Sequence, residues 1–344
     1  MASATPSRAL PKSNFHHSIA SAPTGISVST SLPTEPTRDS DDSGPPWQSS
    51  SFTHPDHVIP PRSYAGFEDL VIVCCHAIFH PDVSSPSFPL CGPHVESNWH
   101  LAPFQKSNPQ TGKLGEHETF LSHISAGIDA LLLGPSSNTS LLVFSGGVTK
   151  SSLTSLSEAR SYYHAALAHA LSQGYYNGGP PRDLYDEGRI LLEEDATDSF
   201  QNLLFSILLF RRTTGFYPKQ IRIITHAFKS KRFLDLHASA IRWPQDKIRV
   251  HGIDPIMSSA EYDETRKGEE RFGYAPWLYD DLGTTELLSR KREQRGWDMA
   301  KVEELGYGLE DSIKLLLAGT LPETLPWDEP ALSISTEAAS SSAA

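Results

Sequence analysis

Two side chains suited to acid–base chemistry follow apolar stretches of this sequence. His76 comes directly after the run DLVIVCC (69–75), where an imidazole can act as an acid, a base or a ligand. Glu194 closes the run RILLEE (189–194), where a carboxylate can hold a hydroxyl or serve as a general base. The plainer interpretations are a partly buried histidine with satisfied hydrogen bonds and an exposed carboxylate. Either way, the strands before them decide where both side chains lie.

Two cations follow a third apolar run. The run IRIIT (221–225) ends at Thr225, and Lys229 and Arg232 come next, three residues apart in the first turn of a predicted helix. That spacing places them on one helical face near the N-terminus, where positive charges oppose the helix dipole. A placement that costs helix stability indicates another use, and capture of a phosphate or carboxylate group fits it. The alternative is an ordinary basic helix start, and we expect Lys231 to face solvent.

The segment Ser145-Gly146-Gly147 closes the run LLVFS (141–145) and precedes a predicted helix. Its glycines would let the backbone approach a ligand, with amides and a helix N-terminus facing an anion. A purely conformational turn is the alternative, because the segment is neither a dinucleotide fingerprint nor a Walker loop. It also lacks the G-x-S-x-G pattern of a serine nucleophile.

Polar residues also open two of the predicted helices. Ser155 and Glu158 in SLSE fit a capping box, with Glu158 a second candidate for contact with a ligand. Asp198 and Asn202 lie one turn apart in DSFQNLLF, so they can present hydrogen-bonding groups on one face. The alternative is that Asp195 or Thr197 caps the helix and that Asp198, a negative charge near the helix N-terminus, interacts favourably with the helix dipole.

These side chains share a location only if the elements between them bring them together. The predicted strands are the apolar runs 69–75, 141–145, 189–194, 221–225 and 248–252. The predicted helices between them are 117–134, 155–174, 198–215 and 229–241. Strands and helices alternate in this way in a mainly parallel sheet with right-handed crossovers, in a three-layer α/β sandwich. Ligands of such sheets bind beyond the carboxyl ends of the strands. Four of the predicted strands end there in polar groups, at His76, at Ser145, at Glu194 and at Thr225.

The ends of the chain differ from its middle. Residues 1–62 are rich in Ser, Pro and Thr, which predicts a disordered arm, and 330–344 reads as a disordered tail. A single α/β domain is predicted over 64–320. Its last part, 258–272 and 284–306, alternates charges in a way typical of exposed or peripheral helices.

Composition excludes some classes of function. The chain has 41 Asp and Glu against 29 Lys and Arg, a net charge of -12, which argues against general nucleic-acid binding. Its apolar runs are shorter than a membrane span, for which about 18 residues are needed. Three cysteines fit a reducing compartment, so we expect a cytoplasmic protein, with a mitochondrial leader carrying Arg8 and Lys12 as the alternative. We expect no metal site, because His76 and His80 share no helical face.

Several short motifs occur together and in order. They are CHAIFHPD, SNWHLAPFQKSN, HETFLSHISAG, LLVFSGGVTK, SLSEARSYYHAAL, DATDSFQNLLFSILLF, YPKQIRIITHAFKSKRF and LLSRKREQR. On these motifs, residues 69–296 resemble the eukaryotic, fungal-type branch of the YdcF/SanA-like family, domain of unknown function 218. The resemblance implies a Rossmann-like fold with one principal domain. It implies site residues at His76, Ser145, Gly146, Gly147, Ser157, Glu158, Glu194, Asp198, Ser199, Asn202, Lys229 and Arg232.

The sequence departs from the family pattern at two positions. Lys229 stands where bacterial relatives usually carry a histidine, four residues after the threonine that Thr225 matches. Gln201 stands where the family usually has a glutamate. The family pattern supplies no established reaction.

Two hypotheses follow for function. In the first, the domain binds a small anionic molecule, nucleotide-like or phosphorylated, at the carboxyl edge of the sheet. Any chemistry would be transfer or hydrolysis with His76 or Glu194 as the acid–base group, and adenosylmethionine or another nucleotide is the candidate cofactor. In the second, the body is a scaffold or degenerate enzyme whose disordered arm recruits partners. The sequence leaves the oligomeric state open.

Overall fold

The computed structural model describes residues 62–80 and 92–328 of the chain. They belong to one structural unit, Pro61–Ala344, which contains the predicted domain 64–320. The predicted arm, apart from residue 62, and the predicted tail lie outside the described residues.

A five-stranded parallel sheet forms the centre of the unit. The described residues contain seven strands, five in this sheet and two in a separate pair. They are β1 (Asp69–Cys74), β2 (Ile78–Phe79), β3 (Trp99–His100), β4 (Ser140–Ser145), β5 (Ile190–Glu193), β6 (Gln220–Thr225) and β7 (Ile248–Gly252). The sheet order is β5-β4-β1-β6-β7, and every neighbouring pair in it is parallel. The short strands β2 and β3 pair with each other in antiparallel fashion. The five predicted strands are therefore present, and the predicted α/β class is confirmed.

Helices of three kinds lie between the strands and after the last of them. The α-helices are α1 (His117–Leu132), α2 (Glu158–Ser172), α3 (Gly179–Asp186), α4 (Ser199–Thr214), α5 (Ser259–Gly268), α6 (Glu286–Gln294), α7 (Lys301–Gly306) and α8 (Asp311–Leu317). Two segments, Arg232–Ala238 and Glu269–Tyr274, are π-helical. The 3-10 turns are Glu96–Asn98, Pro103–Gln105, Tyr176–Gly178, Ala227–Lys229, Gln245–Lys247 and Ala275–Leu278. No helix in the described ranges is long and apolar enough to cross a membrane.

The two faces of the sheet are covered by different helices. Successive side chains of a strand point to opposite faces. Leu70 and Ile72 of β1 accordingly pack in one apolar cluster with α4, whereas Val71 and Val73 pack in a second cluster with α1 and α2. Burial on both faces explains why the strands read as nearly unbroken apolar runs. The three-layer arrangement leaves the carboxyl ends of the strands as the edge where polar groups can gather.

Helix α2 begins three residues later than its sequence pattern predicts. Its N-cap is Ser157, whose hydroxyl accepts a hydrogen bond from the backbone amide of Arg160 at 3.0 Å. The predicted capping box from Ser155 to Glu158 is therefore wrong. Glu158 is the first residue of the helix, and its carboxylate accepts a hydrogen bond from Thr149 instead.

Asp198 caps α4, whereas the sequence pattern predicted Asp195 or Thr197 as the cap. Its Oδ1 accepts a hydrogen bond from the backbone amide of Gln201 at 2.9 Å. At the other end, Gly215 has φ 85°, the left-handed conformation that commonly ends a helix. These caps fix the first turn of α4 next to the end of β5.

Candidate functional site

A large cavity lies at the carboxyl edge of the sheet. The first strand, β1, has β4 on one side and β6 on the other, so the chain changes direction across the sheet at this strand. Ligands of open α/β sheets bind at such a point. The cavity has a volume of about 1150 Å³. Seven of the predicted site residues line it: His76, Glu158, Asp198, Ser199, Asn202, Lys229 and Arg232.

His76 follows β1, and both of its ring nitrogens have partners. Lys229 Nζ lies 3.4 Å from Nδ1, and Thr225 Oγ1 lies 3.1 Å from Nε2. When Lys229 is protonated it donates to Nδ1, and the ring proton is then on Nε2. The backbone amide of His76 donates to the Tyr162 hydroxyl at 3.1 Å, and its carbonyl accepts from Gln105 Nε2 at 3.2 Å. Burial, assisted by the charge of Lys229, holds the pKa of His76 well below its usual range. The ring is therefore a neutral, fixed hydrogen-bonding group at pH 7.

Lys229 and Arg232 line the cavity from one side of the helical turn after β6, whereas Lys231 is exposed. Burial lowers the pKa of Lys229 to about 8, and the positive charge of Arg232 acts in the same direction. Burial also lowers the pKa of Arg232, which Glu269 opposes with Oε1 3.3 Å from Nε. Lys229 has no ion-pair partner within 4.0 Å among the described residues. The ordinary basic helix start is therefore not what the structure shows.

A cluster of neutral histidines lies beside these cations. The ring centroid of His226 is 4.6 Å from that of His76 and 5.1 Å from that of His123. Burial lowers the pKa of His123 to about 4 and holds that of His226 well below its usual range. No group of three or more His, Cys, Asp or Glu side chains in the described ranges is arranged to hold a metal ion. The positive charge of the cavity at pH 7 thus comes from its lysines and arginines.

Helix α6 supplies two further cations that the sequence argument did not place in the site. Lys291 and Arg295 both line the cavity, and Arg295 Nη1 donates to the Thr197 carbonyl at 2.8 Å. Burial, together with Arg295 and Arg232, lowers the pKa of Lys291. The prediction that 284–306 is peripheral was therefore wrong for α6. The signal was present, because Lys291 and Arg295 are four residues apart in LLSRKREQR and so share a helical face.

The segment 258–272, also predicted to be peripheral, forms another wall of the cavity. Glu261 and Glu264 of α5 line it, as do Glu269 and Phe272 of the π-helical turn that follows. The Phe272 side chain is 64% exposed. This wall therefore combines carboxylates with an apolar ring at the open side of the cavity.

The glycine turn is used for close packing rather than for an anion. The amides of Gly146 and Gly147 donate to the carbonyls of Glu193 and Ala196 at 3.0 and 2.7 Å. A Cβ on Gly146 would lie 2.9 Å from Glu158 Cβ, and one on Gly147 would lie 2.9 Å from the Ala196 oxygen. Neither glycine lines the cavity. The prediction that their amides face a ligand is not supported, because both amides already have backbone partners.

Ser145 lies in a buried polar network behind the cavity wall. Its hydroxyl is within hydrogen-bonding distance of Glu193 Oε2 at 2.5 Å and of Asn202 Oδ1 at 3.1 Å. The other oxygen of Glu193 accepts from the amides of Asp195 and Ala196 at 2.8 and 2.9 Å. Burial raises the pKa of Glu193 to about 7, although these hydrogen bonds oppose the rise. Ser145 and Thr225 therefore support the residues of the cavity without lining it.

Glu194 points away from the cavity. Its carboxylate accepts from Ser157 Oγ at 2.6 Å and from Arg160 Nη2 at 2.6 Å, in an ion pair whose side chains are 34% and 43% exposed. These hydrogen bonds lower its pKa in spite of partial burial. Since Glu194 does not line the cavity, its position does not support the predicted catalytic role. The buried carboxyl belongs to its neighbour Glu193, which was not predicted as a site residue.

The remaining predicted residues surround the floor of the cavity. Asp198 Oδ2 accepts from Arg292 Nε at 2.6 Å, which joins α4 to α6. Ser199 Oγ lies 2.7 Å from His237 Nε2. Glu158 is buried beside Thr149, and burial raises its pKa.

The fold and the cavity define a Rossmann-like α/β protein with a charged cleft at the point where the strand order reverses. The chain is 31% identical over 266 residues to uncharacterized protein YOR238W of Saccharomyces cerevisiae, in an alignment covering 66% of this chain and 83% of the yeast protein. The chain therefore belongs to the same family as that yeast protein. No protein-family model matches the chain, and no solved structure matches it significantly.

Proposed function

We propose that this domain binds a small phosphorylated or otherwise anionic molecule in the cavity at the carboxyl edge of the sheet. The observation that carries the proposal is the convergence of Lys229, Arg232, Lys291 and Arg295 on one cavity. The pKa of Lys229 and that of Lys291 are lowered by burial and by neighbouring cations, so an anion between these groups would relieve their repulsion. Arginine and lysine side chains are the usual ligands of phosphate groups.

If the bound ligand reacts, we expect His76 rather than Glu194 to act as the acid or base. His76 lines the cavity next to Lys229, whereas Glu194 is paired with Arg160 elsewhere. A neutral imidazole with fixed orientation suits proton transfer in a transferase or hydrolase reaction. We therefore retain His76 as the candidate acid–base residue.

The membership of the YdcF/SanA-like family and the cellular compartment are also proposals. The motifs around His76, Asp198 and Arg232 support membership of the YdcF/SanA-like family, and adenosylmethionine or another nucleotide is then a candidate ligand. Cys74 and Cys75 are free, buried thiols, which supports a reducing compartment such as the cytoplasm.

The alternative is a non-catalytic scaffold whose N-terminal arm recruits partners. A scaffold has no need for buried cations, because each costs desolvation free energy that a surface lysine avoids. Lys229 and Lys291 are partly buried, and desolvation lowers the pKa of each, so they favour the ligand-binding proposal.

A thermal-shift screen of nucleotides, adenosylmethionine and sugar phosphates tests the proposal. We expect one or more of these anions to raise the melting temperature of the full chain, and the rise to be lost in Lys291→Gln. Arg290→Gln is the matched control, because Arg290 is exposed one position earlier on the same helix. Equal responses of Lys291→Gln and Arg290→Gln to every ligand would contradict the proposal.

A further inference from the structure

Lys229 differs from the other cations of the cavity in its contacts. Arg232 has Glu269 as an ion-pair partner, and Arg295 donates to a backbone carbonyl. Lys229 Nζ instead donates to a ring nitrogen of His76, at 3.4 Å. With no carboxylate within 4.0 Å among the described residues, Lys229 holds its proton less firmly, although the charges of Glu269 and Glu116 oppose this effect from farther away.

The surroundings of Lys229 raise the share of uncharged amine above that of an ordinary lysine, although a pKa of about 8 keeps most of the group protonated at pH 7. Its side chain is partly buried, and Arg232 lies next to it on the same helical turn. These are the two conditions, desolvation and a neighbouring cation, that turn lysines into nucleophiles. Because Nζ lies at the cavity wall, a ligand held by the other cations can reach it.

We propose that Lys229 is a nucleophile that forms an imine with an aldehyde or ketone group of a phosphorylated ligand. This inference rests on the proposed function, since Arg232, Lys291 and Arg295 would hold the phosphate while Lys229 meets the carbonyl. The ligand class is thereby narrowed to small molecules that carry both a carbonyl group and an anionic group.

The chemistry balances with groups that the site contains. The ammonium group first gives one proton to Nδ1 of His76, and the uncharged amine then adds to the carbonyl carbon, forming a carbon–nitrogen bond. The ring returns that proton to the former carbonyl oxygen, which becomes a hydroxyl. The ring then takes a second proton from the nitrogen and passes it to the hydroxyl, which leaves as water as the carbon–nitrogen double bond forms. Overall, an ammonium group and a carbonyl give a protonated imine and one water molecule, so no oxidant or reductant takes part.

Thr225 fits the role of a positioning residue for this transfer. Its hydroxyl lies 3.1 Å from Nε2 of His76, where it can accept the ring proton of the tautomer that leaves Nδ1 without one. Only that tautomer can accept a proton from Lys229.

The test uses pyridoxal 5′-phosphate, a phosphorylated aldehyde, as the probe. The full chain is treated with this probe at pH 7.5 and then with borohydride, which fixes any imine, and the modified lysines are mapped by mass spectrometry. We expect Lys229 to be modified at least about tenfold faster than Lys231. An amine with a pKa of about 8, as Lys229 has, is unprotonated at pH 7.5 to an extent on the order of a hundredfold greater than a model-peptide lysine with a pKa of about 10.4.

Matched variants separate the parts of the inference. Lys229→Arg keeps the charge and should lose the adduct, whereas Lys231→Arg should keep it. His76→Asn should slow formation of the adduct at least about a hundredfold, the lower end of the usual contribution of a proton-transfer group. The wild-type map decides the question even if a variant does not fold.

Failure of this inference differs from failure of the proposed function. If Lys229 reacts no faster than Lys231 while anions still raise the melting temperature, the imine is refuted and anion binding stands. If pyridoxal without its phosphate modifies Lys229 as fast as pyridoxal 5′-phosphate does, the phosphorylated ligand is refuted. The expected result is a rate at least about tenfold lower with pyridoxal, because the phosphate contributes binding free energy.

Discussion

Arg232 and Glu269 form an ion pair at the cavity wall, with Nε 3.3 Å from Oε1, and each begins a π-helical segment. Single π-helical turns occur frequently at functional sites, because the wider turn redirects side chains. The two side chains are only 11% and 12% exposed, so their charges are weakly screened by water. Burial raises the pKa of Glu269, although Arg232 opposes the rise. In the absence of a bound anion, this carboxylate offsets part of the charge of Arg232.

Removal of that carboxylate should therefore strengthen anion binding. We expect Glu269→Gln to lower the dissociation constant for inorganic pyrophosphate by roughly three- to tenfold, since about 1 kcal/mol of competition for Arg232 is lost. Isothermal titration calorimetry at low salt measures the change. Glu270→Gln is the control, because Glu270 is the exposed neighbour and should change affinity little. Weaker binding by Glu269→Gln would show that the carboxylate contacts the ligand favourably.

The histidine cluster should make the fold sensitive to acid. Burial lowers the pKa of His123 from its ordinary 6.5 to about 4, although its hydrogen bond to Ile253 opposes this. The unfolded chain then binds a proton that the folded chain does not, so stability is complete above pH 6.5 and is lost as pH falls toward 4. The loss from His123 reaches about 3 kcal/mol.

Comparison of variants isolates this contribution. Glu193, whose pKa is raised to about 7, has the opposite effect, because its stabilisation is lost as pH rises between 4.5 and 7. Urea unfolding of His123→Asn between pH 4.5 and 7 should therefore show a smaller loss of stability toward low pH than the wild type. His251→Asn, at an exposed position, should keep the wild-type dependence. Parallel pH curves for His123→Asn and wild type would contradict the assignment.

The glycine turn should tolerate no side chain. A Cβ on Gly147 would lie 2.9 Å from the backbone oxygen of Ala196, which cannot move as a flexible side chain would. We expect Gly147→Ala to lower the free energy of unfolding by about 1 to 3 kcal/mol. Gly268→Ala is the control, since nothing lies within 4 Å of its Cβ position at the end of α5. That variant should be about 0.5 to 1 kcal/mol more stable than wild type, because alanine favours helix.

Sequence patterns predicted the sheet well because its strands are buried on both faces. The run DLVIVCC could form few other elements of that length, and β1 was placed to within one residue. The strand order could not be predicted, since the apolar runs do not specify which strands pair. The polar residues after β1 and β6 were correctly placed at one edge, and that edge contains the cavity.

The sequence did not show which of two adjacent acids, Glu193 or Glu194, is buried. Glu193 and Glu194 are equivalent as strand-end carboxylates, and only the register of β5 decides which one is buried. Ser145 pairs with Glu193 in that register, so Glu194 turns toward Arg160. The prediction for helix α6 was wrong for another reason. The sequence shows that Lys291 and Arg295 share a helical face, but the position of that face at the sheet edge depends on tertiary packing after β7, which no local pattern specifies.

Titration of the full chain with inorganic pyrophosphate tests the central claim most directly. Arg232→Gln and Lys231→Gln remove one positive charge each, one residue apart, but only Arg232 lines the cavity. If the cavity binds anions, Arg232→Gln should weaken binding at least about tenfold, and Lys231→Gln should stay within about twofold of the wild type. Equal affinities of the two variants, or no measurable binding by the wild type, would contradict the claim.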